Sequence, residues 1–169
     1  MYPDLPIQQL LRRNDTRFQF GFARQARTLI PARDEFVLTA SGEGLRVLGR
    51  NEDALRLPVE VLRDVYGPRL DVRPPEVRFA QAREPIMHVR ISVETTLLGA
   101  VKDVLEKRGA ALQEEYVRPN YCVLRYEAPL ADLLGIPDEL ALATSGRARH
   151  WVALSHYVPS NRTPGGDAA

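Results

Sequence analysis

Side chains able to do chemistry are few in this sequence and widely spaced. His88, His150 and His156 are its only histidines and Cys122 its only cysteine, and none falls in the HExxH or CxxC spacing that gathers ligands on zinc. A lone cysteine also excludes an internal disulfide and a thiolate metal site. As a nucleophile Cys122 needs a base beside it, and its place in a strand-like run reads instead as a buried, inert thiol. GTP hydrolysis requires a Gly-x-x-x-x-Gly-Lys-Ser/Thr loop, whose amides cradle phosphates while the hydroxyl holds magnesium. The 169 residues contain no such loop. Gly42-Glu43-Gly44 lacks the third glycine of a dinucleotide fingerprint and reads as a turn between strands. The expectation is a protein that is not an enzyme and takes neither a metal nor a cofactor.

The chemistry left is contact with phosphate. Lys107 and Arg108 end one helical segment, and Ser145, Gly146, Arg147 and Arg149 follow another. Short clusters of this kind fork onto phosphates and fix orientation without reading bases. The same residues have structural duties open to them: Gly146 as a helix stop, Lys107 and Arg108 as complements to a helix C-terminus. The net charge of +1 announces no general affinity for nucleic acid. Residues 1–83 hold 14 arginines against 11 acidic residues, and 84–169 hold 9 basic against 11 acidic, so neither half is a basic stripe and DNA is not an expected partner.

The elements that must position these residues are clearest in the second half. Met87, Val89, Ile91 and Val93 alternate with His88, Arg90 and Ser92, the period of a half-buried strand. Thr95 or Thr96 is placed to N-cap a helix with Leu97, Leu98, Val101, Val104 and Leu105 on one stripe, which Gly109 stops. Ala111 to Val117 and Tyr121 to Ala128 form a hairpin around Arg118-Pro119-Asn120. Leu130, Leu133 and Leu134 begin a helical segment that Gly135 and Pro137 bend, Pro137 taking the first position of the continuation. Arg147 to Val158 supplies a last strand. Strand, helix, hairpin, helix and strand make a βαββαβ plait of the ferredoxin-like kind, helices on one face and the other left to a partner.

The first half suggests the same plan less completely. Ile7, Leu10 and Leu11 predict a short helix. Phe18, Phe20 and Phe22 alternate as a strand, with Phe36, Leu38 and Ala40 as its hairpin partner. Val59, Leu62 and Val65 predict a helix from Pro58 to Gly67, and Leu70, Val72, Val77 and Phe79 closing strands. The fold class is therefore α+β, two ferredoxin-like plaits in tandem, the first degenerate, with domains at 1–82 and 83–159 and a flexible tail at 160–169. Each domain is near the lower limit, roughly 80 residues, that buries a self-sufficient core.

A loop after the first strand of a plait can hold phosphate, as in acylphosphatase-like enzymes. Here that loop is Glu94-Thr95-Thr96, which offers helix amides but no arginine, and Glu94 opposes an anion.

Glu84-Pro85-Ile86-Met87, Lys107-Arg108-Gly109, Pro129-Leu130-Ala131-Asp132-Leu133-Leu134-Gly135, Thr144-Ser145-Gly146-Arg147-Ala148 and His156-Tyr157-Val158-Pro159 together resemble the fifth, C-terminal domain of elongation factor G. The first half resembles that family's third domain through Ser41-Gly42-Glu43-Gly44, Val61 to Gly67 and Pro74-Pro75-Glu76-Val77. Where the family continues Glu-Leu-His-Leu after its Gly-x-Gly turn, this chain has Leu45-Arg46-Val47-Leu48. Where the family commonly has Thr-Gln-Gly-Arg-Ala, it has Ser145 for the glutamine. Only Ala80-Gln81-Ala82-Arg83 joins the halves, at the place where the family inserts its fourth domain.

The resemblance implies a ribosome-binding role, on rRNA near the factor-binding site, or association with a translation factor, without GTP hydrolysis or translocation. Lys107, Arg108, Ser145, Gly146, Arg147 and Arg149 are the residues through which such contact is expected. Two other expectations stand beside it: a regulatory or scaffold module that associates through its sheet, as a homodimer for instance, and a remnant or fragment of a translational GTPase. The first residues show no signal-peptide pattern and no apolar run has membrane-helix length, so a cytoplasmic protein without a membrane partner is expected.

Overall fold

Strand β1 (Ile7–Arg13) buries Ile7, Gln9 and Leu11 on one side, the alternation of a strand where a helix was expected. The computed structural model describes residues 2–162, and over them the chain forms two compact units, 2–78 and 79–162. In the first unit β1 is followed by α1 (Gln19–Leu29), β2 (Phe36–Ser41), β3 (Gly44–Gly49), α2 (Arg56–Tyr66), β4 (Leu70–Val72) and β5 (Glu76–Val77). The sheet order is β2-β3-β1-β4, with β5 also on β1, and every pairing is antiparallel. That is the complete plait order, so the first plait is not degenerate in its elements.

Two readings of the first half are corrected, each for a physical reason. Ile7, Leu10 and Leu11 have helical spacing, but the middle position of the buried face is Gln9, whose Nε2 donates to the Arg73 carbonyl at 2.8 Å. A polar residue there hides the period of two. Phe18, Phe20 and Phe22 alternate, yet Phe18 and Phe20 are exposed and only Phe22 is buried. It stands with Ala23 and Ala26 on the inner face of α1, a stripe whose small residues carry little apolar signal. The buried Gln19 ties the start of this helix to β1, donating to the Arg13 carbonyl at 2.8 Å and accepting from the Arg13 amide at 3.1 Å. β2 therefore pairs with β3, not with residues 18–22.

Pro74 and Pro75 have no N–H to give a ladder, which explains why the closing edge is split into β4 and β5. Gln9 reaches the carbonyl left at that break. Inside, Ile7, Leu11, Leu45, Val47 and Leu62 are fully buried, and Phe22 meets Tyr66 edge to face at 5.2 Å.

The second unit follows its sequence closely. Its elements are β6 (Arg83–Glu94), α3 (Leu98–Lys107), β7 (Ala111–Val117), β8 (Tyr121–Pro129), α4 (Leu130–Leu133), α5 (Ile136–Thr144) and β9 (Arg149–Pro159), and the sheet order β7-β8-β6-β9 repeats that of the first. Met87, Val89, Ile91 and Val93 lie opposite Ala128, Tyr126, Leu124 and Cys122, and Val101, Val104, Leu105, Leu130, Ile136 and Leu140 complete the buried layer.

The helix ends are specified locally. Gly109, at φ +72, lets its own amide bond Glu106 at 3.0 Å and the Ala110 amide bond Leu105 at 3.1 Å, a Schellman termination. Gly135, at φ +85, separates α4 from α5, and Pro137 takes the second helical position rather than the first. Neither threonine caps α3: a short 3-10 turn, Thr95–Leu97, precedes it, and the Thr95 hydroxyl donates to the Arg118 carbonyl at 2.7 Å.

Ser160 and Arg162, at the start of the expected tail, contact the rest of the second unit. The Ser160 hydroxyl donates to Glu84 at 3.0 Å, and Arg162 lies 3.5 Å from Glu84 and 3.0 Å from Asp132. Residues 163–169 lie outside the described residues.

Candidate functional site

The residues expected to meet phosphate are divided between two ends of one helix pair. α3 and α5 pack side by side in opposite directions, because Arg108 at the end of α3 reaches Glu139 near the start of α5. At the far end Arg147 lies 3.4 Å from Glu94, the last residue before the α3 turn. Lys107 and Arg108 are thus separated from Ser145, Gly146 and Arg147 by about a helix length, roughly 14 Å at 1.5 Å per residue.

Arg108 is occupied internally. Its Nε and Nη2 donate to Glu139 at 3.1 and 2.6 Å, and its Nη1 donates to the carbonyls of Leu134 at 2.6 Å and Asp132 at 3.3 Å. These are the unpaired carbonyls that end α4. The Lys107-Arg108-Gly109 and Pro129-to-Gly135 motifs are therefore one structural device, and only Lys107 of this pair is exposed.

The opposite end is assembled from three connections. Ser145 takes a left-handed conformation at φ +51 and Gly146 follows at φ +74, with the Gly146 amide on Ala141 at 2.8 Å and the Arg147 amide on Thr144 at 3.0 Å. Thr144, 1% exposed, braces this turn, donating its hydroxyl to Leu140 at 2.7 Å and accepting the Ala148 amide at 3.1 Å. The β7–β8 hairpin joins through Thr95, whose amide donates to Asn120 at 3.3 Å. It brings Arg118, which stacks 4.8 Å from the Tyr116 ring centroid and also bonds the Tyr116 hydroxyl.

The arginine missing from Glu94-Thr95-Thr96 is supplied in space by Arg147, but its partner is Glu94 and the Thr95 amide is already used. This arrangement does not make a phosphate-binding catalytic loop. Both members of the Arg147–Glu94 pair are more than half exposed, and such a pair contributes about 0–1 kcal/mol. One fully buried Leu or Ile contributes about 1.5–3 kcal/mol. The fold therefore does not depend on Arg147, which leaves it available to a partner.

Among the described residues no group of three or more His, Cys, Asp or Glu is placed to hold a metal ion. His88 stands 3.6 Å from Glu127 on the sheet, and His156 shares a 2.8 Å contact with Ser155. Cys122 is fully buried, its thiol 3.6 Å from the Val93 carbonyl. Burial, then Glu115, pushes its pKa up, with Lys102 opposing. No helix of the described residues is long and apolar enough to cross a membrane. In the first unit an open hollow of about 620 Å³ is lined by Asn14, Arg63, Gly67, Pro68, Leu70, Asp71 and Val72, without a cluster of reactive groups.

Arg118, Arg90, Arg125 and Trp151 were not among the expected contact residues. Arg118 gave only a turn signal, and the other three sit singly on separate strands, so their neighbourhood emerges only with the register.

The second unit is a ferredoxin-like plait with an exposed, arginine-bearing loop end. Residues 81–165 match the family model described as the elongation factor G C-terminus, and the chain belongs to that family. An elongation factor G 2 of Hahella chejuensis (strain KCTC 2396) is 36% identical over 86 residues, which make up 50% of this chain and 12% of that relative. The crystal structure of a Thermus thermophilus protein matches with a TM-score of 0.64 over 94% of this chain and 41% of the other, at 14% identity, a likeness of fold.

Proposed function

We propose that this protein binds the ribosome, on rRNA near the factor-binding site, or a translation factor, in the cytoplasm and without hydrolysing GTP. The observation that carries the reading is the coincidence of an elongation factor G C-terminal plait with a loop end where Arg118, Arg147 and Arg149 are all exposed. Fixed arginines on short turns suit phosphate contacts that orient a module on folded RNA. Lys107 is a separate contact at the other end of the helix pair, and Ser145 and Gly146 shape the turn that carries Arg147. The first unit acts as the counterpart of the family's third domain.

Co-sedimentation of the purified chain with ribosomes over a salt series tests this. Binding that weakens steeply with salt is the expected result. Absence of binding at low salt, where phosphate contacts are strongest, sinks the rRNA reading. A second reading, association with another protein, draws on β7, whose seven residues are all exposed at the sheet edge and present an unpaired ladder. Light scattering that shows a stable dimer, without ribosome binding, favours it.

A further inference from the structure

The sheet face of the second unit that turns away from α3 and α5 has an ordered pattern. Met87, Val89, Ile91 and Val93 point into the core, so His88, Arg90 and Ser92 point out. Register sets Trp151 opposite Arg90, Arg90 opposite Arg125, and Arg125 opposite Glu114. The adjoining row runs Arg149, Ser92, Val123 and Tyr116. Trp151 is 51% exposed and Tyr116 46%, each with a guanidinium over one face of its ring: Arg90 at 5.2 Å from the Trp151 centroid and Arg118 at 4.8 Å from that of Tyr116.

Charge and geometry narrow what such a face takes. Its carboxylates, Glu114, Glu127 and, at the end of β6, Glu94, stand 3.4 Å from Arg125, 3.6 Å from His88 and 3.4 Å from Arg147, while Arg90 and Arg149 have no carboxylate partner among the described residues. A two-fold pairing with a second copy sets these arginines against a like surface, which is repulsive. An apolar protein surface leaves them desolvated without partners. A nucleic-acid strand with unpaired bases satisfies both chemistries, its bases stacking on aromatic rings and guanidinium planes and its phosphates taking the arginines. Duplex RNA hides those base faces and does not fit.

We infer that this face is a stacking platform for single-stranded RNA, with one base on the Trp151–Arg90 stack, a second on the Tyr116–Arg118 stack, and the backbone passing over Arg149 and Arg125. It adjoins the turn of Arg147, which pairs with Glu94 at the end of β6 and is not one of the stacking contacts.

Trp151 is the only tryptophan, so its emission reports the site directly. The full chain is titrated with a single-stranded uridine-rich 12-mer, and with the same strand in a duplex, at low and high salt. Saturable quenching by the single strand, several-fold weaker for the duplex, is expected. With a labelled 12-mer, Trp151→Ala and Tyr116→Ala each weaken binding about tenfold, the scale of one lost stacking contact, while Asp103→Asn, at an exposed position of α3, leaves it unchanged. Thermal melts establish that the variants fold, and Trp151→Phe, which keeps a ring, retains most of the affinity.

Failure to quench at low salt, equal affinity for the duplex, or undiminished binding by both alanine variants overturns the inference. Ribosome co-sedimentation of Arg147→Gln and Trp151→Ala separates it from the proposed function. Loss in the first variant alone leaves the ribosome reading standing whatever the 12-mer shows.

Discussion

Arg108 and Glu139 lock the end of α3 to the start of α5, two guanidinium nitrogens converging on Oε2 of one carboxylate at 3.1 and 2.6 Å. The same guanidinium holds the carbonyls of Asp132 and Leu134. Arg108→Ala is expected to destabilise the protein by about 1.5–3 kcal/mol, the range for hydrogen bonds to charged groups. Arg108→Lys does not restore the loss, because an ammonium cannot span three acceptors. Urea unfolding reads the loss, and ribosome co-sedimentation well below the transition stays at the wild-type level.

Tyr126 predicts an alkaline limit to stability. Its ring is fully buried and its hydroxyl has no hydrogen-bond partner among the described residues, and burial, ahead of Glu106 and Glu115, pushes its pKa up from 10.0 to about 12. The neutral phenol is the form the fold accepts. Between pH 10 and about 12 the unfolded chain has lost this proton while the folded chain keeps it, so stability falls with rising pH in that window. Tyr126→Phe is expected to flatten this fall and to leave stability near neutral pH unchanged or raised, by about 1–3 kcal/mol at most. Unfolding curves of both proteins from pH 8 to 11 check it.

Cys122 should be inert in the native protein. Its raised pKa and full burial keep the thiol protonated and out of reach. A thiol-disulfide probe such as Ellman's reagent at pH 8 is expected to react slowly with the folded chain and to consume one thiol per chain in denaturant. Rapid reaction without denaturant contradicts a buried Cys122.

Arg147 and Arg149 should act through salt-sensitive contacts. If each meets one phosphate, Arg147→Gln and Arg149→Gln each lower the steepness of the ribosome-binding salt dependence by about one unit of log K per log salt. Their melting temperatures remain close to wild type, since neither side chain is buried.

The Ala80–Arg83 turn carries strain that a single change relieves. Gln81 and Ala82 have φ of +51 and +61, and the Ala80 and Arg83 amides each bond the other's carbonyl at 3.0 Å, the two-residue hairpin that favours Asn-Gly. Ala82→Gly is expected to stabilise the protein by about 0.5–1 kcal/mol, net of its cost to unfolded-chain entropy. A chemical-denaturation midpoint that fails to rise counts against this backbone geometry.

The second unit was legible because its strands keep apolar and polar residues strictly apart, as Met87 to Val93 do, and because Gly109 and Gly135 stop helices where the backbone turns left-handed. The first unit was obscured by Gln9 and Gln19, polar residues that the fold buries by hydrogen-bonding them, and by Ala23 and Ala26, which pack closely while reading as neutral. For the contact residues, sequence proximity misled in one direction and distance in another. Lys107 and Arg108 group with Arg147 by residue type, but antiparallel helices set them at opposite ends. Arg90, Arg125 and Trp151 are far apart along the chain, yet share one row because strand register alone sets their order.

The same turn at Ala80–Arg83 also fixes where this architecture can grow. Its flanking residues are a hydrogen-bonded antiparallel pair, with α-carbons about 5.5 Å apart, so a guest domain whose own ends adjoin can be spliced there without parting the strands on either side. The turn is a ready-made graft point.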